Sequence, residues 1–139
     1  MEHGAAHAVS MGATQRIRRA GRTLIAYDGT PSARRALARA VFLHRDGARV
    51  GLIHVSEHGD DREGHLEEAR AALAGSGIEA DSIAVAGSAA HAICVAAERD
   101  GYDTIVVGRR NLRGAGQLLL GSVASRVVAG ATCDVVVVA

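Results

Sequence analysis

The stretch Val106-Val107-Gly108-Arg109-Arg110-Asn111-Leu112-Arg113-Gly114-Ala115-Gly116-Gln117-Leu118-Leu119-Leu120-Gly121-Ser122-Val123 decides how the chain is read. It opens as the end of an apolar, strand-type run, Thr104 to Val107, and breaks at Gly108. It then passes through a basic loop with glycines at 114 and 116, and re-enters a helical pattern at Gly121-Ser122, with Val123 and Val127 one turn apart. Strand, basic glycine loop and helix start carrying a hydroxyl are a phosphate site in outline. Unpaired amides at a helix N-terminus carry partial positive charge and attract anions. Glycine lets backbone approach a ligand closely. Arg109, Arg110 and Arg113 add charge beside it. The competing reading is a solvated loop between a strand and a helix.

Outward from this stretch the alternation continues. Thr23 to Ala26 is a short apolar strand ending at Tyr27-Asp28-Gly29. Thr30-Pro31 marks a helix start, a hydroxyl cap followed by proline at the first helical position. Leu37, Ala40, Val41 and His44 follow at helical spacing, and Asp46-Gly47 is expected to end that helix. Arg49 to Val55 is a strand apolar enough for burial on both faces. Glu63 to Ala74 is a helix stopped by Gly75-Ser76-Gly77. Ile78 to Val85 is a weaker strand, expected at a sheet edge. Gly87-Ser88 opens a helix with Ala90, Ile93, Cys94 and Ala97 inward. Tyr102 to Val107 is the fourth strand. A helix runs from Ser122 to about Ala129, and Val135 to Val138 closes the chain.

Strands alternating with helices predict an α/β fold: one open five-stranded parallel sheet, right-handed crossovers, helices on both faces. In such sheets ligands sit beyond the carboxyl ends of the strands, where strand order reverses. Asp28, Val55 and Gly108 all fall at carboxyl ends, so three separate segments converge on one crevice.

Composition sets the limits. A chain of 139 residues suits one domain, here 21–139, behind a segment 1–20 of low hydrophobic periodicity expected as a mobile tail. With two Tyr, one Phe and no Trp, the core is built from Ala, Val, Leu and Ile. Formal net charge is +1, so no nucleic-acid partner is implied. No run reaches transmembrane length and no secretory signal is evident, so a cytoplasmic protein without membrane attachment is expected. Cys94 and Cys133 lack metal or redox spacing; Cys94 is expected in the core and Cys133 partly exposed. A Walker loop is excluded, since that motif needs lysine and all sixteen basic residues are arginine. The same absence excludes a response regulator. No set of acid, base and nucleophile at catalytic spacing is found.

The spacing Gly108-x2-Asn111-x9-Gly121-Ser122 resembles the G-x2-G-x9-G-[S/T] nucleotide motif of the universal stress proteins. Leu24 to Thr30, Leu52 to Val55, Asp103 to Gly108 and Cys133 to Val138 extend the resemblance over about 22–139, in the family's order. Asn111 stands where the family has its second glycine; asparagine tolerates left-handed backbone next best. The resemblance implies the adenine nucleotide alpha hydrolase-like fold of this family and a regulatory module binding ATP, or ADP or AMP, with Mg²⁺ and little turnover. It implies that Val55 and Ala26 read the base through main chain, that Val107 packs on it, and that Tyr27 and Asp28 border the nucleotide. Asp28 is read as binding a ribose hydroxyl or the metal, or else as a turn residue accepting local amides. Gly108, Arg109, Arg110, Asn111, Gly114, Gly121, Ser122 and Val123 would surround the phosphates, with Ser122 also the helix cap. His54 is read as a core or interface histidine, and the acids Glu57, Asp60, Asp61 and Glu63 as solvated. If the valine-rich last strand lies at an edge, a second copy paired there, as the family resemblance implies, makes a homodimer. The alternative is a dimeric scaffold of the same fold that binds protein partners and no nucleotide.

Overall fold

The computed structural model describes residues 21–57, 62–109 and 120–139. These form β1 (Arg22–Ala26), α1 (Pro31–Leu43), β2 (Arg49–Ser56), α2 (Arg62–Ala74), β3 (Ala80–Ala86), α3 (Ala89–Arg99), β4 (Thr104–Gly108), α4 (Ser122–Gly130) and β5 (Asp134–Val138). The strands make one five-stranded sheet in the order β3-β2-β1-β4-β5. Every pairing is parallel, and Ile25 at the centre faces Leu52 on one side and Val106 on the other. The expected α/β architecture is therefore the observed one.

Successive strand side chains point to opposite faces, which splits the core in two. Ile25, Leu52 and Val106 pack under α1 and α2 with Ala36, Leu37, Leu66 and Leu73. Leu24, Ile53, Ile105 and Val107 pack under α3 and α4 with Ile93, Ala97, Ala124 and Val127. The helices contribute many alanines, which shortens the distance at which a helix can lie on the sheet. Gly51 serves the same end inside β2: a β-carbon there would come to 2.7 Å from the Tyr102 ring carbon that bears the hydroxyl.

The outer strands read as edges. β3 is only partly covered, and every residue of β5 is half-buried. Strand order moves one way from β1 to β3 and the other way from β4 to β5, so β1 and β4 flank the reversal. Their carboxyl ends open the crevice between the two helical layers.

β4 begins at Thr104 and not at the expected Tyr102, and three further boundary differences have a visible cause. α1 stops at Leu43: His44 is its C-cap in extended conformation (φ −65°, ψ 140°) and lies outside the helix. Gly47 (φ 87°) belongs to a separate turn, closed by the Ala48 amide on the Arg45 carbonyl at 2.9 Å. β3 begins at Ala80 because Ile78 still serves α2. Its amide bonds the Leu73 carbonyl at 2.9 Å, and the Gly77 amide bonds Ala74 at 2.9 Å, with Gly77 at φ 77°. This paired closure around a left-handed glycine is how many helices end. Finally, Gly121, in extended conformation (φ −69°, ψ 169°), caps α4, and Ser122 is its first helical residue. The segment 1–20 lies outside the described residues.

Candidate functional site

A cavity of about 450 Å³ opens at the carboxyl ends of β1, β2 and β4. This is ample for a small organic ligand. Its apolar floor comes from Ala26, Ile53, Val55 and Val107, with Ile93 from α3. Its rim is polar and is made where three helices begin: Asp28, Thr30 and Ser32 at α1, Glu57 and Ser88 at α3, Ser122 and Arg126 at α4. Such a floor suits a flat apolar ring, and such a rim suits the polar substituents that orient it.

The three helix starts differ in how their amides are satisfied. At α1, Thr30 Oγ1 accepts the Ala33 amide at 3.1 Å. Asp28 Oδ1 in turn accepts the Thr30 amide at 3.1 Å and the Thr30 hydroxyl at 2.7 Å. Asp28 thus performs the local turn role that was one of its two readings, while also lining the cavity. At α3 the N-cap Ser88 makes no side-chain capping bond, and Glu57 Oε2 accepts the Ala89 amide at 3.1 Å instead. Glu57, read from sequence as a solvated loop acid, is part of the cavity wall. At α4 the N-cap is a glycine without a side-chain acceptor, and no acid occupies the first turn. The first amides of a helix have no partner within it. Among the described residues, no side chain compensates the positive dipole end of α4 where it meets the cavity.

The loop leading to α4 is anchored at both ends. The Arg109 amide donates to the Val138 carbonyl at 2.8 Å, and the Gly121 amide donates to the Arg109 carbonyl at 3.0 Å. The Gly121 amide, expected to face a ligand, is thus already engaged. Arg110, Asn111 and Gly114 lie outside the described residues, as do Arg113, Asp60 and Asp61. Gly108 is fixed by close packing. A β-carbon there would stand 2.5 Å from the Ser32 carbonyl oxygen, so only glycine lets β4 and the first turn of α1 approach as they do.

Tyr27 borders the cavity but its side chain is committed elsewhere. Its hydroxyl donates to Glu68 Oε2 at 2.8 Å, and Arg34 Nε donates to the same oxygen at 2.9 Å. Burial, then the bond to Glu68, pushes the Tyr27 phenol above its ordinary value. The bonds from Arg34 and Tyr27 hold the Glu68 carboxyl below its own. The Tyr27 carbonyl meets His54 Nδ1 at 2.8 Å, which requires that nitrogen to carry the proton. His54 is buried at 1% exposure, with its ring centroid 5.0 Å from that of His65 and tilted 51° to it, in accord with its reading as a core histidine. Among the described residues no three His, Cys, Asp or Glu side chains gather as a metal site, and no helix is long and apolar enough to cross a membrane.

Of the residues expected at the site, Ala26, Tyr27, Asp28, Val55, Val107, Gly108, Ser122 and Val123 all line the one cavity. Gly121 is buried beside it, as the cap of α4. The universal stress protein family model matches residues 58–139. A universal stress protein of Thermus aquaticus, from the QAH/OAS sulfhydrylase 3′ region, is 37% identical, over 83% of this chain and 96% of its own. The chain belongs to the universal stress protein family.

Solved structures agree on the fold of this universal stress protein. A family member in complex with cAMP superposes with a TM-score of 0.72 at 21% identity, covering 86% of this chain and 97% of its own. An Arabidopsis thaliana family member with AMP bound gives 0.67 at 20%, covering 85% and 90%. Sequence reasoning passed over Thr30, Ser32, Ser88, Glu57 and Arg126 as site residues. Two of them carried a signal. Glu57 lies two residues beyond Val55, just past the carboxyl end of β2, and Arg126 lies one helical turn beyond Ser122.

Proposed function

We propose that the protein is a stress-response regulatory module of the cytoplasm that binds ATP, or the related ADP or AMP, as a homodimer with little or no turnover. One observation carries this reading. Of the three helix starts around the cavity, those of α1 and α3 have their own side-chain acceptors, while α4 has none among the described residues. An anion is thereby directed to Ser122 and Val123. Family members with cAMP and with AMP bound supply the ligand class. The base then lies on Ala26, Val55 and Val107, with the ribose toward Asp28 and Tyr27. Gly108, Arg109 and Gly121 hold the loop ends beside the phosphates, and Arg110, Asn111 and Gly114 belong to the same loop.

A Mg²⁺ ion fits this site as a companion of the phosphates. Only Asp28 and Glu57 among the described lining residues are carboxylates, and magnesium is commonly held by one or two carboxylates plus phosphate and water. Asp28 would hold it. Both carboxylates already accept backbone amides, which supports binding over hydrolysis.

The edge position of β5 supports pairing of Val135–Val138 with a second copy. The engaged Gly121 amide and the Asn111 departure favour one other reading, a dimeric scaffold without nucleotide. Calorimetric titration with ATP and Mg²⁺ tests the proposal. Micromolar binding that Gly121→Val abolishes supports it. No binding at millimolar ATP leaves the scaffold. Sedimentation at twice the 14.3 kDa chain mass supports the dimer, and a monomer removes it.

A further inference from the structure

Arg126 has no evident structural purpose. It sits on α4, is exposed, and lines the cavity. Among the described residues it has no ion-pair partner, whereas Arg34 and Arg99 pair with Glu68 and Asp100. Its position is electrostatically awkward. Arg126 is the central residue of the nine in α4, one turn beyond a start that carries no acid in its first turn, so nothing in the helix itself offsets its charge. Residues four apart share a helix face, and Arg126 and Ser122 both line the cavity, beside the first amides of α4. The start of α3, which packs beside α4 on the same face of the sheet, carries Glu57, whose carboxylate already occupies it, and the start of α1 carries Asp28, whose carboxylate accepts the Thr30 amide. Two of the three helix starts around the cavity thus carry a carboxylate, and the third has Arg126 one turn along its helix. A phosphate chain is repelled from the α3 start and drawn toward α4.

We propose that Arg126 is the residue that reads the phosphate chain, holding the outer phosphates of a nucleoside di- or triphosphate and setting its preference over adenosine. This rests on the adenine-nucleotide reading above. Guanidinium binds phosphate through paired N–H donors, which ammonium cannot reproduce.

The test is calorimetric titration of adenosine, ADP and ATP into the full chain, its Arg126→Ala and Arg126→Lys variants, and Arg99→Ala as a charge-matched control. Alanine suits an exposed helix position, and circular dichroism verifies the fold. We expect Arg126→Ala to weaken ATP and ADP about tenfold, with Arg126→Lys between it and wild type. Adenosine should change less than about twofold, as for an ordinary surface substitution. Arg99→Ala should match wild type throughout. The loss for ATP should shrink as salt rises. An equal loss for adenosine and ATP, or undiminished ATP binding, overturns the role of Arg126 while leaving nucleotide binding intact. If the wild type binds none of the three, both readings fall.

Discussion

Glu57 Oε2 accepts the main-chain amide of Ala89 at 3.1 Å, so the residue that follows β2 closes the start of α3 across 32 residues of sequence. This bond gives the cavity its polarity, because it fills one helix N-terminus with the protein's own anion. Removing it should also loosen α3. We expect Glu57→Ala to lower stability by about 0.5–1 kcal/mol at low salt, and by less in concentrated salt. Urea denaturation at two ionic strengths measures this. An unchanged midpoint at low salt would mean that the carboxylate is idle.

Close packing of β4 against α1 makes a second expectation. A β-carbon at Gly108 would meet the Ser32 carbonyl oxygen at 2.5 Å and its carbon at 2.7 Å, both backbone atoms that yield only if α1 shifts. Gly108→Ala should cost about 1–3 kcal/mol, as overpacking does. It should weaken nucleotide binding too, since Ser32 and Gly108 line the cavity. Gly75→Ala, whose nearest neighbour would be the Ala72 carbonyl oxygen at 3.5 Å, is the control. It should stay within about 0.5 kcal/mol of wild type.

The Tyr27–Glu68–Arg34 cluster predicts an acid dependence. Hydrogen bonds from Arg34 and then Tyr27 hold the Glu68 carboxyl below its ordinary value. A depressed carboxyl stabilises the fold above its unfolded pKa and loses that contribution as pH falls through the folded one. The stability gap between wild type and Glu68→Gln should therefore be widest near neutrality and close below about pH 4. Urea midpoints across this range decide it. A gap that stays constant on acidification would contradict the assignment.

Both thiols should be slow to react in the folded protein. Burial raises the Cys94 thiol, and burial with the nearby Asp134, Asp103 and Cys94 pushes Cys133 up to about 11. Thiolate is the nucleophile, so alkylation at pH 8 should be slow natively and fast in urea. Rapid native labelling of Cys133 would show that it is far less buried than this.

Much of this was legible before any coordinates. The apolar runs ending at Ala26, Val55 and Val107 gave the strands, and Thr30-Pro31 marked the start of α1, because patterning and capping are local. Alternation of the two element types implied a parallel sheet and hence a crevice at its carboxyl ends. What stayed hidden depends on contacts distant in sequence. The bond of Glu57 to Ala89 could not be read from an acidic loop. Nor could the engagement of the Gly121 amide by Arg109, or the commitment of the Tyr27 hydroxyl to Glu68. The end of α1 at Leu43 was missed because His44 continues the helical spacing yet adopts extended backbone. Arg126 was overlooked because a lone arginine on a helix usually faces only solvent.

On the proposed function, an adenine nucleotide lies in the crevice with its phosphates at the start of α4. Amide resonances of the ¹⁵N-labelled protein, followed as ATP and Mg²⁺ are added, test it most directly. Ser122, Val123 and Ala124 should shift together with Asp28 and Val55, and saturate along one binding curve. Shifts confined to Ala89 and Ala90 at the start of α3, or none at millimolar ATP, would contradict it.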